Sequence, residues 1–456
     1  MKCNIYLKNS NNNNYNIRVI IFATIYYIGI IITFTSITSN GASITSNGAI
    51  TSNGANIIDL LWARLPTTAG NHTDNIRKSK QGMKDAAKNG IKHVRFAGAS
   101  YLGRNMKLWH DEKTRNDYWK IMDSIYIESK ELQINLTPSI FFDTWVFPDL
   151  CNEPMGLLVN RNVDSCTRTT LKLYISEFVS RYYNNLTTIT SSNKYLNPLS
   201  SSNNVDDINQ KYYYLLEMTN EFDLQYDIDM NGRTAAGKVR TSADNVSHKD
   251  GIEFTKDFAS WVRTALINAN SSTNIVKLTT GHAIPRACGG NCLNSWNEIN
   301  QTEFLHYIGD IHKSMDVVCI HTYPGKGLTR QSWNPPILSN TSTAIINIIA
   351  DYVTNILKKD LWIGEYGIQV EDRYYLQPPE RKKELMPYFN FFQNIIKLCN
   401  RSSNSNNNND SSSNKIFSTI WIWEFNTNHL NNVTWALWPG RDNIMINAIK
   451  NSNIKN

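Results

Sequence analysis

Leu216-Glu217-Met218-Thr219-Asn220-Glu221 decides the fold: a short apolar run that delivers a glutamate at its C-terminal end. A second stretch far downstream, Trp362-Ile363-Gly364-Glu365-Tyr366-Gly367, repeats the arrangement. Two glutamates can act as a pair on a glycosidic bond, one protonating the leaving oxygen while the other attacks the sugar or activates water. Residues so distant in sequence meet only where a fold gathers the ends of many strands. A closed parallel barrel does this, because its functional side chains come from the C-terminal ends of several strands.

Outward from these two stretches, strand-like and helix-period segments alternate along the chain. Strands are expected at Ile57–Arg64, Ile91–Ala97, Ile134–Phe142, Tyr212–Met218, Ile275–Thr280, Val317–His321, Leu361–Gly364 and Phe417–Trp423. Helical periodicity marks Ile76–Lys88, closed by the capping pair Asn89-Gly90, then Tyr118–Leu132, Leu171–Tyr183, Phe254–Ile267, Phe304–Ile311, Ile345–Leu357, Arg381–Leu398 and Asp442–Lys450. Eight such units predict an α/β fold, a single (β/α)8 TIM barrel over residues 57–450, rather than a doubly wound sheet. Two Ser/Asn-rich inserts, residues 184–210 and 401–415, precede strands, so they are expected on the N-terminal face of the barrel, away from the chemistry.

Ahead of the barrel, Lys2, Lys8 and Arg18 precede an uncharged apolar run, Val19–Phe34. Residues 1–36 are expected to be a signal peptide or an uncleaved signal anchor, which places the bulk of the chain outside the cytosol: secreted, or alternatively membrane-anchored or in a lysosomal or endosomal compartment. Residues 37–56 carry a short repeat, Ile-Thr-Ser-Asn-Gly-Ala from Ile37, Ile44 and Ile50, and are expected to be a linker. Asn tracts at Asn11–Asn14 and Asn406–Asn409 are low-complexity sequence, and this bias also weakens the glycosylation sequons at Asn71, Asn185, Asn245, Asn300 and Asn432 as signs of secretion. Cys151 with Cys166, and Cys288 with Cys292, are close enough in sequence to form disulfides, while Cys319 and Cys399 are expected to be buried thiols.

The composition is globular, 41% hydrophobic with 12 Trp, and the net charge of +7 is too scattered for a nucleic-acid partner. Phosphate-loop, dinucleotide, G-x-S-x-G and H-E-x-x-H signatures are absent. Polar groups instead collect at the strand ends: Arg95, Asn220, Glu221, His282, His321, Tyr323, Glu365, Trp423 and Glu424. Trp109, Trp145, Trp296, Trp333, Trp435 and Trp438 follow strands and are candidate stacking platforms for pyranose rings.

In Val94-Arg95-Phe96, Thr219-Asn220-Glu221, His321-Thr322-Tyr323, Ile363-Gly364-Glu365-Tyr366-Gly367 and Ile422-Trp423, in that order, the chain resembles glycoside hydrolase family 5, the cellulases and β-mannanases, within the larger clan of retaining (β/α)8 glycosidases. The resemblance spans about residues 57–450 and implies Glu221 as acid/base and Glu365 as nucleophile. It implies Asn220 on the sugar 2-hydroxyl, Arg95 beneath Glu365, His321 and Tyr323 orienting the carboxyl groups, and Trp423 as the floor of the sugar site. The family usually carries a histidine after strand three; here Phe141-Phe142-Asp143-Thr144-Trp145 stands there, and Asp143 or Trp145 is expected to fill the space. His282 reads equally well as a sugar contact or a structural strand-end histidine. The implied activity is hydrolysis of a β-linked polysaccharide, β-mannan or β-1,4-glucan, by a monomer without cofactor or metal. Alternatives are an exo-acting enzyme on oligosaccharides or glycolipids, a sugar-binding barrel without activity, and a metal-dependent barrel enzyme using His282, His321 and Glu365.

Overall fold

The computed structural model describes residues 53–68, 70–100, 102–188, 190–191, 193–198, 213–235, 237–292, 294–323, 330–334, 336–337, 343–367, 378–404, 414, 416–421 and 444–447. The leader, the earlier repeat copies, Trp423, Glu424, Trp435 and Trp438 lie outside them.

Eight parallel strands form one sheet: β1 Asn53–Asn56, β2 His93–Ala97, β3 Asn135–Phe141, β4 Tyr214–Thr219, β5 Val276–Thr279, β6 Val317–His321, β7 Asp360–Tyr366 and β8 Ile416–Trp421. Their order runs β5-β4-β3-β2-β1-β8-β7-β6. The ring closes between β5 and β6, where the Asp316 amide donates to the Leu278 carbonyl (3.0 Å) and the His321 amide to the His282 carbonyl (2.9 Å). This is a (β/α)8 barrel. The outer layer is built from α1 His72–Lys88, α2 Gly103–His110, α3 Arg115–Glu131, α4 Val146–Cys151, α5 Met155–Val159, α6 Cys166–Tyr182, α7 His248–Asn268, α8 Gln301–Ile311, α9 Thr343–Asp351 and α10 Pro379–Asn404.

Local chemistry sets the helix ends. Asn71 and Asn300 accept the backbone N–H groups of Asp74 and Glu303, and Glu303 returns a bond to the Asn300 amide, a capping box. Gly90 supplies the left-handed turn that ends α1. Cys151 joins Cys166, tying α4 to α6, and Cys288 joins Cys292; Cys319 and Cys399 are free and buried. No helix among the described residues is long and apolar enough to cross a membrane.

The first strand differs from the expectation. Ile57–Arg64 is not a strand; it forms two 3-10 turns, at Ile58–Leu60 and Trp62–Arg64, and Ile57, Ile58, Leu60 and Leu61 are buried. The strand is Asn53-Gly54-Ala55-Asn56, the tail of the last repeat copy, so the barrel begins inside the segment taken as linker. Asn and Gly read as turn formers, but a four-residue strand flanked on both sides needs only paired backbone and small or hydrogen-bonded side chains. Asn56 meets that need by donating to the Gly364 carbonyl at 3.0 Å.

Inside the barrel, alternate residues point inward. Leu215, Val317, Cys319, Trp362 and Phe417 form the apolar floor, with Trp362 stacked on Phe417 at 6.2 Å. Above that floor Arg95, Glu217, Thr219, His321 and Glu365 turn the interior polar, and there the chemistry sits.

Candidate active site

One register defect aims a key side chain. Along β6 and β7, Ile320 pairs with Ile363 but His321 pairs with Glu365, so Gly364 is an extra residue, a β-bulge. In a regular strand Trp362 and Gly364 would face inward and Glu365 outward; the bulge turns Glu365 inward as well. Only glycine fits the extra position, because a Cβ there would stand 2.8 Å from both the Cys319 Sγ and the His321 Nε2.

Glu221 arrives differently. It follows β4 in a left-handed conformation (φ 51°, ψ 37°), its amide donating to the Gly281 carbonyl at 2.7 Å. Left-handed backbone at a non-glycine residue is strained and is kept where surrounding structure enforces it, often at functional sites. The enforcing partner is Gly281, itself left-handed at φ +77°, where a Cβ would clash with the Thr219 carbonyl and the Glu217 carboxyl.

The two glutamates meet. An oxygen of each carboxyl and a ring nitrogen of His321 all lie within 4.8 Å of one another. His321 bridges them, its Nδ1 3.3 Å from Glu221 and 3.7 Å from Glu365. Their surroundings are unequal. Glu365 is buried, accepts from Arg95 at 2.5 Å and from the Tyr323 hydroxyl at 2.8 Å, and its carboxyl lies below the usual range: burial works to raise it, but the charges of His321 and Arg95 and these hydrogen bonds prevail. Glu221 keeps 29% of its side chain exposed. For His321, burial alone would lower its pKa, yet the Glu365 charge carries it well above its ordinary value, so it holds a proton.

Arg95 is the hub, fully buried on β2. Besides Glu365 it binds Glu217 through a two-pronged contact (2.5 and 2.6 Å) and the Asn220 Oδ1 at 2.8 Å. The last bond fixes the Asn220 amide with its NH2 left to donate elsewhere. Glu217 was not anticipated. It lies inward on β4 between Leu215 and Thr219, and the signal was in plain view: a charge inside the apolar run that opened this reading. Asp223, two residues past Glu221, was missed as well. It is buried, accepts from the Ala283 amide at 2.9 Å, and is pushed up to about 7 by burial against that bond, with the Glu221 charge adding.

Asp143 and Trp145 follow β3, which ends at Phe141. The Asp143 carboxyl accepts the Trp145 amide at 3.0 Å and is pushed up to about 6, chiefly by burial. His282, a candidate sugar contact, is corrected to a structural residue: it is fully buried, edge-on to Tyr226 (5.8 Å) and His312 (5.6 Å), and burial drives its pKa well below the ordinary value. It does not join His321 and Glu365 in a ligand set, so the metal reading loses its third residue. Glu221, His321 and Glu365 could converge on a cation, but the Arg95 guanidinium and the protonated His321 already supply positive charge there. Of the tryptophans read as platforms, Trp109 and Trp333 are buried packing, while Trp296 is 63% exposed.

No family model matches the chain, and no curated protein matches it in sequence. Among solved structures it is similar to a glycoside hydrolase family 5 mannosidase from Rhizomucor miehei, at 9% identity and a TM-score of 0.51 over 90% of this chain and 94% of that one. An endo-1,4-β-D-mannanase from Thermotoga petrophila matches at 12% identity and TM-score 0.49 over 88% and 99%. A family 1 β-glucosidase from Thermotoga maritima matches at 11% and 0.48 over 89% and 97%. At such identities, what is shared is the barrel fold.

Proposed function

We propose that this protein is a retaining β-glycoside hydrolase working by double displacement. The observation that carries the reading is the asymmetry of two adjacent carboxyl groups: Glu365 is loaded with an arginine, a tyrosine hydroxyl and a protonated histidine, and Glu221 has, among the described residues, the histidine alone. Retaining enzymes set their carboxyl groups about 5–5.5 Å apart, inverting ones about 6.5–9.5 Å, and a nearest approach within 4.8 Å agrees with the former.

In this mechanism the Glu221 carboxylic acid protonates the glycosidic oxygen as a Glu365 oxygen attacks the anomeric carbon, breaking the bond to the leaving group and forming a glycosyl ester. The Glu221 carboxylate then takes a proton from water, the water oxygen attacks the same carbon, and Glu365 leaves as carboxylate. Arg95 and Tyr323 keep Glu365 anionic, Asn220 offers its NH2 to the sugar 2-hydroxyl, and Trp423 is assigned the floor of the sugar site on the motif resemblance.

The motif resemblance and the mannosidase likeness favour β-mannan or β-1,4-glucan, met outside the cytosol by a secreted, disulfide-bearing chain. Dyed β-mannan and β-glucan polymers tested beside aryl β-glycosides, with wild type and Glu365→Ala, check the reading. Turnover by wild type that the variant lacks is expected. Sugar binding with no turnover by wild type would leave a binding barrel instead.

A further inference from the structure

Glu221 opens a 3-10 turn, Phe222–Gln225, and the place of its carboxyl depends on what holds that turn. One stretch of chain past β5, residues 281–286, holds it at several points. The Gly281 carbonyl accepts the Glu221 amide at 2.7 Å, the Ala283 amide donates to the Asp223 carboxyl at 2.9 Å, and Arg286 donates to the carbonyls of Leu224 and Tyr226. The same stretch grips His321: the His321 amide donates to the His282 carbonyl at 2.9 Å, and the Ile284 amide to the His321 carbonyl at 3.0 Å. Glu221 and His321, 3.3 Å apart at their side chains, are thus both fixed to one piece of backbone.

Of these contacts to the turn, the one that uses a side chain of the turn itself is that of Asp223. The residue is 4% exposed, and a carboxyl is costly to bury where an apolar side chain is not, so packing alone does not account for it. Burial pushes it up to about 7, and its neutral form, like its ionised form, keeps an oxygen that accepts the Ala283 amide. The bond therefore survives titration of the group that makes it. Glu221 has left-handed backbone, which persists only where neighbours over-determine it. Without the Asp223 bond the turn can relax and carry the acid away from the glycosidic oxygen.

We propose that Asp223 is the positioning residue for the acid/base: its carboxyl pins the turn to Ala283 and so fixes where Glu221 presents its proton. This rests on the glycosidase reading above. The effect reaches the reaction through Glu221, so it falls on leaving groups that need a proton and spares those that do not.

The test is kcat/KM, which reports formation of the glycosyl-enzyme, for 2,4-dinitrophenyl and 4-methoxyphenyl β-mannosides and β-glucosides. The first leaving group departs without a proton; the second needs one. A small misplacement of a reacting group costs up to about 10²-fold, so Asp223→Ala should lower kcat/KM for the methoxyphenyl substrates by at least about tenfold and for the dinitrophenyl ones by less than about twofold. In a Glu221→Ala background the same change should alter either value by less than about twofold, because groups that act as a unit are not additive. Asp223→Asn keeps an acceptor for the Ala283 amide and should stay within about threefold of wild type. Should Asp223→Ala not fold, Asp223→Glu, whose longer side chain keeps the acceptor but shifts the turn, should show the same leaving-group-selective loss. No loss, equal losses on both leaving groups, a further loss in the Glu221→Ala background, or an Asn variant no better than Ala would overturn the positioning role while leaving the hydrolase in place. A Glu221→Ala variant indifferent to the leaving group, or a wild type that turns over none of these glycosides, would remove the acid/base reading and this role with it.

Discussion

Arg95 binds Glu217, Asn220 and Glu365 from a position with no solvent access, so the charge state of Glu365 depends on neighbours rather than water. Tyr323 is one neighbour that can be altered. Tyr323→Phe deletes the 2.8 Å hydrogen bond to Glu365. A hydrogen bond to a charged group is worth about 1.5–3 kcal/mol, so the Glu365 carboxyl should rise by about one pKa unit or more, at 1.36 kcal/mol per unit. The acid limb of the kcat/KM profile should move to higher pH by that amount; an unmoved limb would mean that Glu365 is not the titrating base. The division of labour has its own test. With Glu365→Ala, added azide should attack from the vacated side and give a glycosyl azide of inverted configuration. With Glu221→Ala, turnover of poor leaving groups should fall by about 10²–10⁴, and azide should give net retention with good ones. NMR of the products decides, and reversed stereochemistry swaps the two roles. Asn220, Glu221, His321, Tyr323 and Glu365 could be read in sequence because each stands at or just past a strand end, and Arg95 because it is a charge within a strand. Asp223 could not, because its importance lies in the turn below Glu221 that it holds; Glu217 stood out as a charge inside an apolar run, but nothing in the sequence tied it to Arg95.

Among the elements, β7 carries the most consequential irregularity. The bulge at Gly364 aims Glu365 inward and places the His321 ring against the glycine. Gly364→Ala would force His321 and Cys319 aside, with an overpacking cost of about 1–3 kcal/mol and loss of the bridge between the two glutamates. Denaturant unfolding and kcat measured on the same variant check this; full activity would show that the His321 position is unimportant. Seven of the eight strands fell within a few residues of their expected bounds, since their apolar, β-branched runs are buried on both faces and leave little ambiguity. β1 escaped because its pairing is carried by backbone and by Asn56, features that hydrophobic patterning does not register. His282 misled for a related reason: its place after a strand suggested the cleft, but Gly281 turns the chain just before it and sends the ring among Tyr226 and His312.

At the scale of the molecule, buried histidines set the pH range. Burial lowers His93 to about 3 and His312 to about 4, and lowers His282 and His248 as well. A histidine lowered on folding is protonated more readily in the unfolded chain, so below about pH 6.5 each reduces stability by up to about 1.4 kcal/mol per pH unit. Asp143 and Asp223, raised on folding to about 6 and about 7, act oppositely in that range, but they are two against four. His321 is raised, so its contribution is complete below about pH 6.5 and is lost as pH climbs through its folded value. Stability should therefore peak near pH 6.5, and denaturation midpoints at pH 5, 6.5 and 8.5 would show it. A steady rise from pH 8.5 to 5 would contradict the histidine account.

The first strand has a consequence for inheritance. Because β1 is the tail of the copy that starts at Ile50, and the copy from Ile44 has the same six residues, an in-frame loss of Ile50–Ala55 restores Asn-Gly-Ala ahead of Asn56 unchanged. A duplication does the same. A change of copy number in this tract thus lengthens or shortens the chain ahead of the barrel, six residues at a time, without altering one residue of the barrel itself.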